Sequence, residues 1–198
     1  MITVAIQAGG NSSRMGQDKG LLPFLGKPLI LRVIDRVFPL ANEIIITTNH
    51  PENYKFLDFP LFPDILPGRG ALGGLYTALH FAKFPVVVVV ACDMPFVNLS
   101  MLSAISKLLE ETTADVILPQ TKYGFEPLHA VYRRETCLPA VKDALARGEW
   151  KLISWLPSVK YTIFPSDEVH LYDPDGLAFG NLNTPEEFQA AQRKALSE

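Results

Sequence analysis

Residues 86–93 read VVVVVACD, and the valine run at their head constrains the fold more than any other feature of the chain. Five consecutive valines favour extended backbone, and a strand made of them has no polar face to turn towards water. Such a strand has to be covered on both sides, as in the middle of a parallel sheet. The rest of the chain must therefore supply helices for two faces.

It does so in alternation. Residues 2–7 (ITVAIQ) read as a strand stopped by glycine, and 43–48 (EIIITT), 115–119, 128–133 and 159–164 read as further strands. After Pro28 a helix is expected over 29–40, with Leu29, Val33 and Val37 recurring every four residues. Residues 71–83 have helical spacing at Leu72, Leu75, Tyr76 and Leu79, and a third helix carries Leu99, Leu102, Ile105, Leu108 and Leu109. Residues 137–147 read as a helix stopped near Gly148, and short helices are expected at 51–57 and 151–156. Thr184-Pro185-Glu186-Glu187 starts the last helix, with an N-cap, proline at the first helical position and glutamate three residues on. Strands alternating with helices predict an α/β sandwich on a mostly parallel sheet, and no repeat or linker divides residues 1–198, so one domain is expected.

Composition narrows the function. With 48% hydrophobic and 20% charged residues the chain can bury a sizeable core. A net charge of −3 argues against a nucleic-acid binder that works through bulk positive charge. The longest apolar run falls far short of the ~20 residues of a membrane helix. The first residues show no charged leader followed by an apolar run, and two cysteines, Cys92 and Cys137, make neither a disulfide framework nor a metal cluster. A cytoplasmic protein that binds neither membrane nor nucleic acid is the expectation.

Ligands of an open α/β sheet collect outside the carboxyl ends of its parallel strands. That rule selects the loop after the first strand, Asn49 after the second, and Asp93 after the valine strand. The loop is Gln7-Ala8-Gly9-Gly10-Asn11-Ser12-Ser13-Arg14-Met15-Gly16-Gln17-Asp18-Lys19. Its glycines permit turns that aim successive amides inward, Arg14 offers a planar fork for phosphate oxygens, and Lys19 a mobile point charge. The alternative is a Gly/Ser-rich surface turn with two solvated cations. Asp93, followed by Met94-Pro95, suits a hard cation such as Mg²⁺ that shares its ligands with substrate phosphates, or else caps a helix or forms a turn.

Other motifs carry less. Gly68-Arg69-Gly70-Ala71-Leu72-Gly73 fits the dinucleotide pattern literally, but two prolines in the approach, Pro63 and Pro67, spoil the strand that pattern requires. A glycine-rich helix start facing the same pocket is the expected use. His50, His80, His129 and His170 show no metal spacing, His80 reads as structural, and Cys92 as a small strand residue.

Taken together these residues resemble the molybdenum cofactor guanylyltransferase family. QAGGNSSRMGQDKGLLPFLGKPL is similar to its signature AGG-x-S-x-RMG-x-DK followed by a G-K-P-L helix start, GRGALGGLYTAL to its second glycine-rich loop and ACDMPF to its metal-binding step. EPLHAVYRRE, ARGEWKLISWL and FGNLNTPEEF resemble later blocks, so the likeness covers most of the chain. Gln7 stands where leucine is usual, and Trp150 where the family often has arginine.

The resemblance implies a Rossmann-like three-layer α/β/α sandwich of the nucleotide-diphospho-sugar transferase type. It implies transfer of GMP from GTP to the terminal phosphate of molybdenum-bound molybdopterin, with release of pyrophosphate and dependence on Mg²⁺. Gln7, Ala8, Gly9, Gly10, Arg14 and Lys19 would bind the nucleotide together with Asn49, Asp64 and Asp93. Arg14, Lys19 and Asp93 would be catalytic, and Asp93 would hold the metal with Asn181 or Asn183, the latter preferred. Residues 125–133 and Lys151 would face the pterin. Transient contacts with other proteins of the pathway and with acceptor enzymes are implied. The alternatives are the cytidylyl version of the reaction, transfer to a sugar phosphate, or a non-catalytic GTP-binding module that delivers cofactor.

Overall fold

A computed structural model describes residues 1–9 and 18–197. In chain order the elements are β1 (Ile2–Gln7), a hairpin of β2 (Pro23–Phe24) and β3 (Lys27–Pro28), α1 (Leu29–Val37), β4 (Glu43–Thr47), β5 (Leu61–Phe62) and α2 (Gly70–Phe81). There follow β6 (Val86–Ala91), α3 (Leu99–Glu111), β7 (Val116–Thr121), β8 (Gly124–Phe125), β9 (His129–Arg133), α4 (Arg134–Ala146), β10 (Tyr161–Phe164), α5 (Ser166–Tyr172) and α6 (Pro185–Ala195). The central sheet runs β10-β7-β9-β6-β1-β4-β5, with β8 paired to β7.

The valine strand is covered on both faces, as its composition predicts, although only one of its two neighbours runs parallel to it. β6 lies between β1 and β9, and none of its five valines is more than 4% exposed. Val86, Val88 and Val90 face a core with Ile30, Val33 and Val37 of α1 and Met101, Leu102 and Ile105 of α3. Val87 and Val89 face the opposite core, with Leu72, Leu75 and Leu79 of α2 and Val141, Ala144 and Leu145 of α4. Period-two alternation of one residue type between two apolar layers makes this a three-layer sandwich.

β1 pairs in parallel with β4 and β6, β4 with β5, and β7 with β10. β9 runs antiparallel to both β6 and β7. Residues 122–128 are too few for a parallel crossover, which needs a dozen or more, so the chain returns antiparallel through β8. The sheet is thus mostly parallel with one reversed central strand.

Local expectations fail where proline or packing intervenes. The helix expected over 29–40 is α-helical only to Val37 and continues as a 3-10 turn over Phe38–Leu40, because Pro39 has no N–H to donate. At 51–57 only a 3-10 turn forms, Pro51–Tyr54. Residues 151–156 form turns that lead into a 3-10 turn at Leu156–Ser158, where Pro157 again removes a donor. The helix expected at 137–147 begins earlier, at Arg134. α5, β5 and β8 carry too short a pattern to be read in advance.

A third apolar cluster governs the C-terminus. Phe24, Leu29, Phe96, Leu182 and Ala191 bury together, and the rings of Phe24 and Phe188 meet edge-on with centroids 5.5 Å apart. At ~1.5–3 kcal/mol for each large apolar side chain buried, this packing holds α6 against the β2–β3 hairpin and the loop after β6. Among the described residues no helix is long and apolar enough to cross a membrane.

Candidate functional site

Four parallel strands end in register. Ala91 of β6 is the direct partner of Gln7 of β1, Gln7 of Thr47 in β4, and Thr47 of Phe62 in β5. Asp93, Gly9, Asn49 and Asp64 each stand two residues beyond one of those ends. The strand-edge rule picks out the loop that holds Gly9, with Asn49 and Asp93, from the sequence, and registry adds Asp64 to the same row.

At one end of the row, Asn49 Nδ2 donates to Asp64 Oδ2 at 3.1 Å. Burial pushes the Asp64 carboxyl above the usual carboxylate range, and the Asn49 hydrogen bond opposes this. Gly9 lies against Asn49, since a Cβ there would stand 3.7 Å from Asn49 Nδ2. Ala8 is buried, with its N–H donated to Thr47 O at 2.8 Å, so its side chain is core.

Gln7 is also buried, beneath the glycine-rich start of α2. A Cβ on Gly74 would come within 2.7 Å of Gln7 Oε1, and one on Gly73 within 2.9 Å of Arg69 Cβ and 3.1 Å of Leu66 O. Gly74 lets α2 approach the end of β1 and Gly73 lets it pack on the loop that precedes it, which accounts for both glycines without a dinucleotide. Gln7 Nε2 has no hydrogen-bond partner among the described residues.

At the other end of the row, Lys19 Nζ lies 3.0 Å from Asp93 Oδ2 and 2.6 Å from Asn183 Oδ1. Asn183 is brought there by the C-terminal cap: Glu187 Oε2 accepts from the backbone N–H of Asn183 at 2.7 Å and of Thr184 at 3.1 Å. The Thr184 hydroxyl in turn accepts from Glu187 N, which completes the capping box read from sequence. Leu182 N donates to Asp93 O at 3.3 Å and ties the segment to the loop after β6. Of the two asparagines considered, Asn183 reaches the cluster, while Asn181 offers its backbone carbonyl to Asn183 Nδ2.

The support of Lys19 was not legible in advance. Asp18 Oδ1 accepts from Gly20 N at 3.2 Å and from the Tyr54 hydroxyl at 2.5 Å, which pins the 3-10 turn Lys19–Leu21. Tyr54 is fully buried, and desolvation holds its phenol neutral far above the ordinary range. Cys92 is a buried free thiol, likewise pushed up by burial, and so behaves as a packing residue rather than a nucleophile.

Gly10 and Arg14 lie outside the described residues. Residues 125–133 do not form one ligand-facing surface: His129, Ala130, Val131 and Tyr132 are at most 1% exposed, because β9 is a central strand covered on both faces. Residues 125–128 and Arg133 remain half-buried, and burial raises the Glu126 carboxyl. Lys151 is exposed, as is Trp150, whose ring lies under the Arg69 guanidinium at 4.6 Å from its centroid.

A metal test can be made on donor chemistry. The Asp93 carboxylate and the Asn183 amide oxygen converge on a single cationic atom, and both are hard oxygen donors. No group of three or more His, Cys, Asp or Glu that could hold a metal exists among the described residues. Mg²⁺ that shares its coordination with substrate phosphates needs only one or two carboxylates, so these residues fit it.

A mostly parallel sheet with a polar row at its carboxyl edge, a glycine-rich loop after the first strand and a lysine–aspartate pair beside it defines a nucleotidyltransferase. The chain belongs to the molybdenum cofactor guanylyltransferases, within the family described as the MobA-like NTP transferase domain, whose model matches residues 4–159. It is 36% identical to the "Probable molybdenum cofactor guanylyltransferase" of Carboxydothermus hydrogenoformans, over 95% of this chain and 93% of that one. It is 32% identical to that of Peptoclostridium acidaminophilum, over 93% of this chain and 85% of that one. Among solved structures it is similar to molybdopterin-guanine dinucleotide biosynthesis protein A from Archaeoglobus fulgidus, with a TM-score of 0.86, 26% identity, and 99% and 100% of the two chains covered.

Proposed function

We propose that residues 1–198 form one nucleotidyltransferase domain that transfers GMP from GTP to the terminal phosphate of molybdenum-bound molybdopterin, in the cytoplasm. An oxygen of the acceptor phosphate forms a bond to the α-phosphorus of GTP, the bond from that phosphorus to the bridging oxygen breaks, and pyrophosphate leaves. The observation that carries this reading is the row Asp93–Gly9–Asn49–Asp64, set by four strands that end in register beside Lys19.

The residues suit this chemistry. A phosphate monoester is largely ionised at neutral pH, its second pKa being about 6, so the acceptor needs no strong general base. His50, beside Asn49, is exposed and has Nδ1 turned to Glu52 at 3.3 Å, which fits that lack of need. The difficulty is that one anion must approach another. Lys19 supplies positive charge for the triphosphate, and Arg14 and the glycines of the same stretch are proposed to act with it. Asn49 and Asp64 are proposed to stand by the guanine and ribose. Asp93 and Asn183 would hold Mg²⁺, which when bound neutralises charge on the phosphates and on the departing pyrophosphate.

Pyrophosphate release measured with GTP and with CTP, and with molybdopterin or a sugar phosphate as acceptor, tests the proposal. Release with GTP and molybdopterin alone is expected. Release that prefers CTP or a sugar phosphate would assign the chain to another reaction, and GTP binding without release would make it a delivery module.

A further inference from the structure

Lys19 occupies the position that a divalent cation would need. One ammonium spans Asp93 Oδ2 at 3.0 Å and Asn183 Oδ1 at 2.6 Å, on the same two side chains that the proposed function gives to Mg²⁺. The Lys19 and Asp93 side chains are only 20% and 14% exposed. A carboxylate so far withdrawn from water is costly to leave without a counter-charge, and a second cation brought to it would meet the ammonium already seated on Oδ2. We infer that Lys19 is a built-in counterion that keeps the cation position closed until a polyphosphate draws it away. Nucleotide and divalent cation then load together, and the free cation alone is excluded.

The architecture around Lys19 provides what such an exchange requires. Its backbone is fixed, since Asp18 Oδ1 holds both Gly20 N and the Tyr54 hydroxyl, and the turn Lys19–Leu21 starts at Lys19 itself. Its head group is a point charge on a four-carbon stem with freely turning donors, so it can trade carboxylate for phosphate without moving the loop. The Asn183 backbone is held by Glu187 and its amide by the Asn181 carbonyl, and the Asp93 carbonyl accepts from Leu182 N–H, so the frame that carries both side chains is fixed without the ammonium. Each event favours the other: a phosphate that removes Lys19 frees Asp93, and a cation on Asp93 frees Lys19 for phosphate. Such coupling is reciprocal in binding free energy.

This inference rests on the assignment of Asp93 and Asn183 to the metal, and it is tested without either substrate. Mn²⁺ is titrated into nucleotide-free protein, and the free ion is followed by its electron paramagnetic resonance signal. Lys19→Met, which keeps the stem and removes the charge, is expected to bind Mn²⁺ at least ~5-fold more tightly than wild type, the lower end of typical coupling. Adding Asp93→Asn to that variant should abolish the gain. Lys19→Gln serves as the second variant, with the same expected direction, if Lys19→Met does not fold. Equal Mn²⁺ affinity in wild type and folded Lys19 variants, or a gain that survives Asp93→Asn, would overturn the inference. Because the assay holds no GTP and no acceptor, failure here leaves the transfer reaction standing, and failure of the pyrophosphate assay leaves the Mn²⁺ result intact.

Discussion

The Tyr54 hydroxyl reaches Asp18 Oδ1 at 2.5 Å across 36 positions of chain, and Asp18 is the residue immediately before the lysine that holds Asp93. Gly20, one residue after that lysine, is packed under the same phenol: a Cβ there would stand 2.6 Å from Tyr54 Oη and 3.2 Å from Cys92 Sγ. The buried tyrosine therefore sets the floor on which Lys19 stands. It touches no substrate in the proposed reaction and acts through Asp18.

Tyr54→Phe removes one hydrogen bond to a carboxylate while keeping the ring, and should cost about 1.5–3 kcal/mol of stability. Gly20→Ala forces a methyl into the same contact and should cost a similar ~1–3 kcal/mol by overpacking. Urea denaturation checks both. In each variant the Mn²⁺ affinity of nucleotide-free protein should also rise, because Lys19 is held less firmly on Asp93. A loss of stability with wild-type Mn²⁺ affinity would show that the tyrosine serves only the core.

Asp93→Ala is expected to abolish Mg²⁺-dependent pyrophosphate release with the fold intact, as circular dichroism would show. Full activity in that variant would remove Asp93 from the site. Lys19→Ala should slow turnover by at least ~10-fold, the lower end of what one lost charge contact of about 1.5–3 kcal/mol gives. An unchanged rate would take Lys19 away from the phosphates.

Thr184→Ala removes the N-cap acceptor of α6 and should cost about 0.5–2 kcal/mol. Glu187→Ala removes the oxygen that holds the backbone of Asn183, and should lower turnover more than Thr184→Ala does. The two variants separate the helix start from the placement of Asn183. Equal turnover in both would mean that the third apolar cluster positions Asn183 unaided.

His129 should make stability fall in acid. It is fully buried in β9 with its ring against Phe179, and neither ring nitrogen finds hydrogen-bond geometry among the described residues, although the Asn98 carbonyl lies near. Burial lowers its pKa to about 3, with that carbonyl opposing the shift. Between about 6.5, the unfolded value, and about 3 the unfolded chain binds a proton that the folded chain refuses, so stability rises with pH across that window. Asp64 and Glu126, whose carboxyls burial raises, contribute with the opposite sign and blunt the slope at its acid end. The dependence of unfolding free energy on pH, measured from pH 4.5 to 7.5 (roughly the upper part of that window), should flatten in His129→Leu. A slope that persists in the variant would locate the acid sensitivity elsewhere.

Layering, the burial of the valine strand on both faces and the last helix were legible in the sequence because they follow from local pattern. Apolar residues at period two or near four state which faces must be covered, and Thr184 with Glu187 states where a helix starts. The direction of β9 was not legible in LHAVYR, since a strand buried on both faces gives no sign of its direction. It was settled by the seven residues, 122–128, that join it to β7.

The site divides in the same way. Gly9, Asn49 and Asp93 could be picked from the chain alone because ligands gather at strand ends, and those ends were marked by sequence. Which of Asn181 and Asn183 shares Lys19 with Asp93, that the turn at Lys19–Leu21 is pinned through Asp18, and that Tyr54 supports Asp18 were decided only by tertiary structure. The Lys19 and Tyr54 hydrogen bonds join residues 36 to 164 positions apart. A hydrogen bond is made or lost within a few tenths of an ångström, and no periodicity along the chain carries that information.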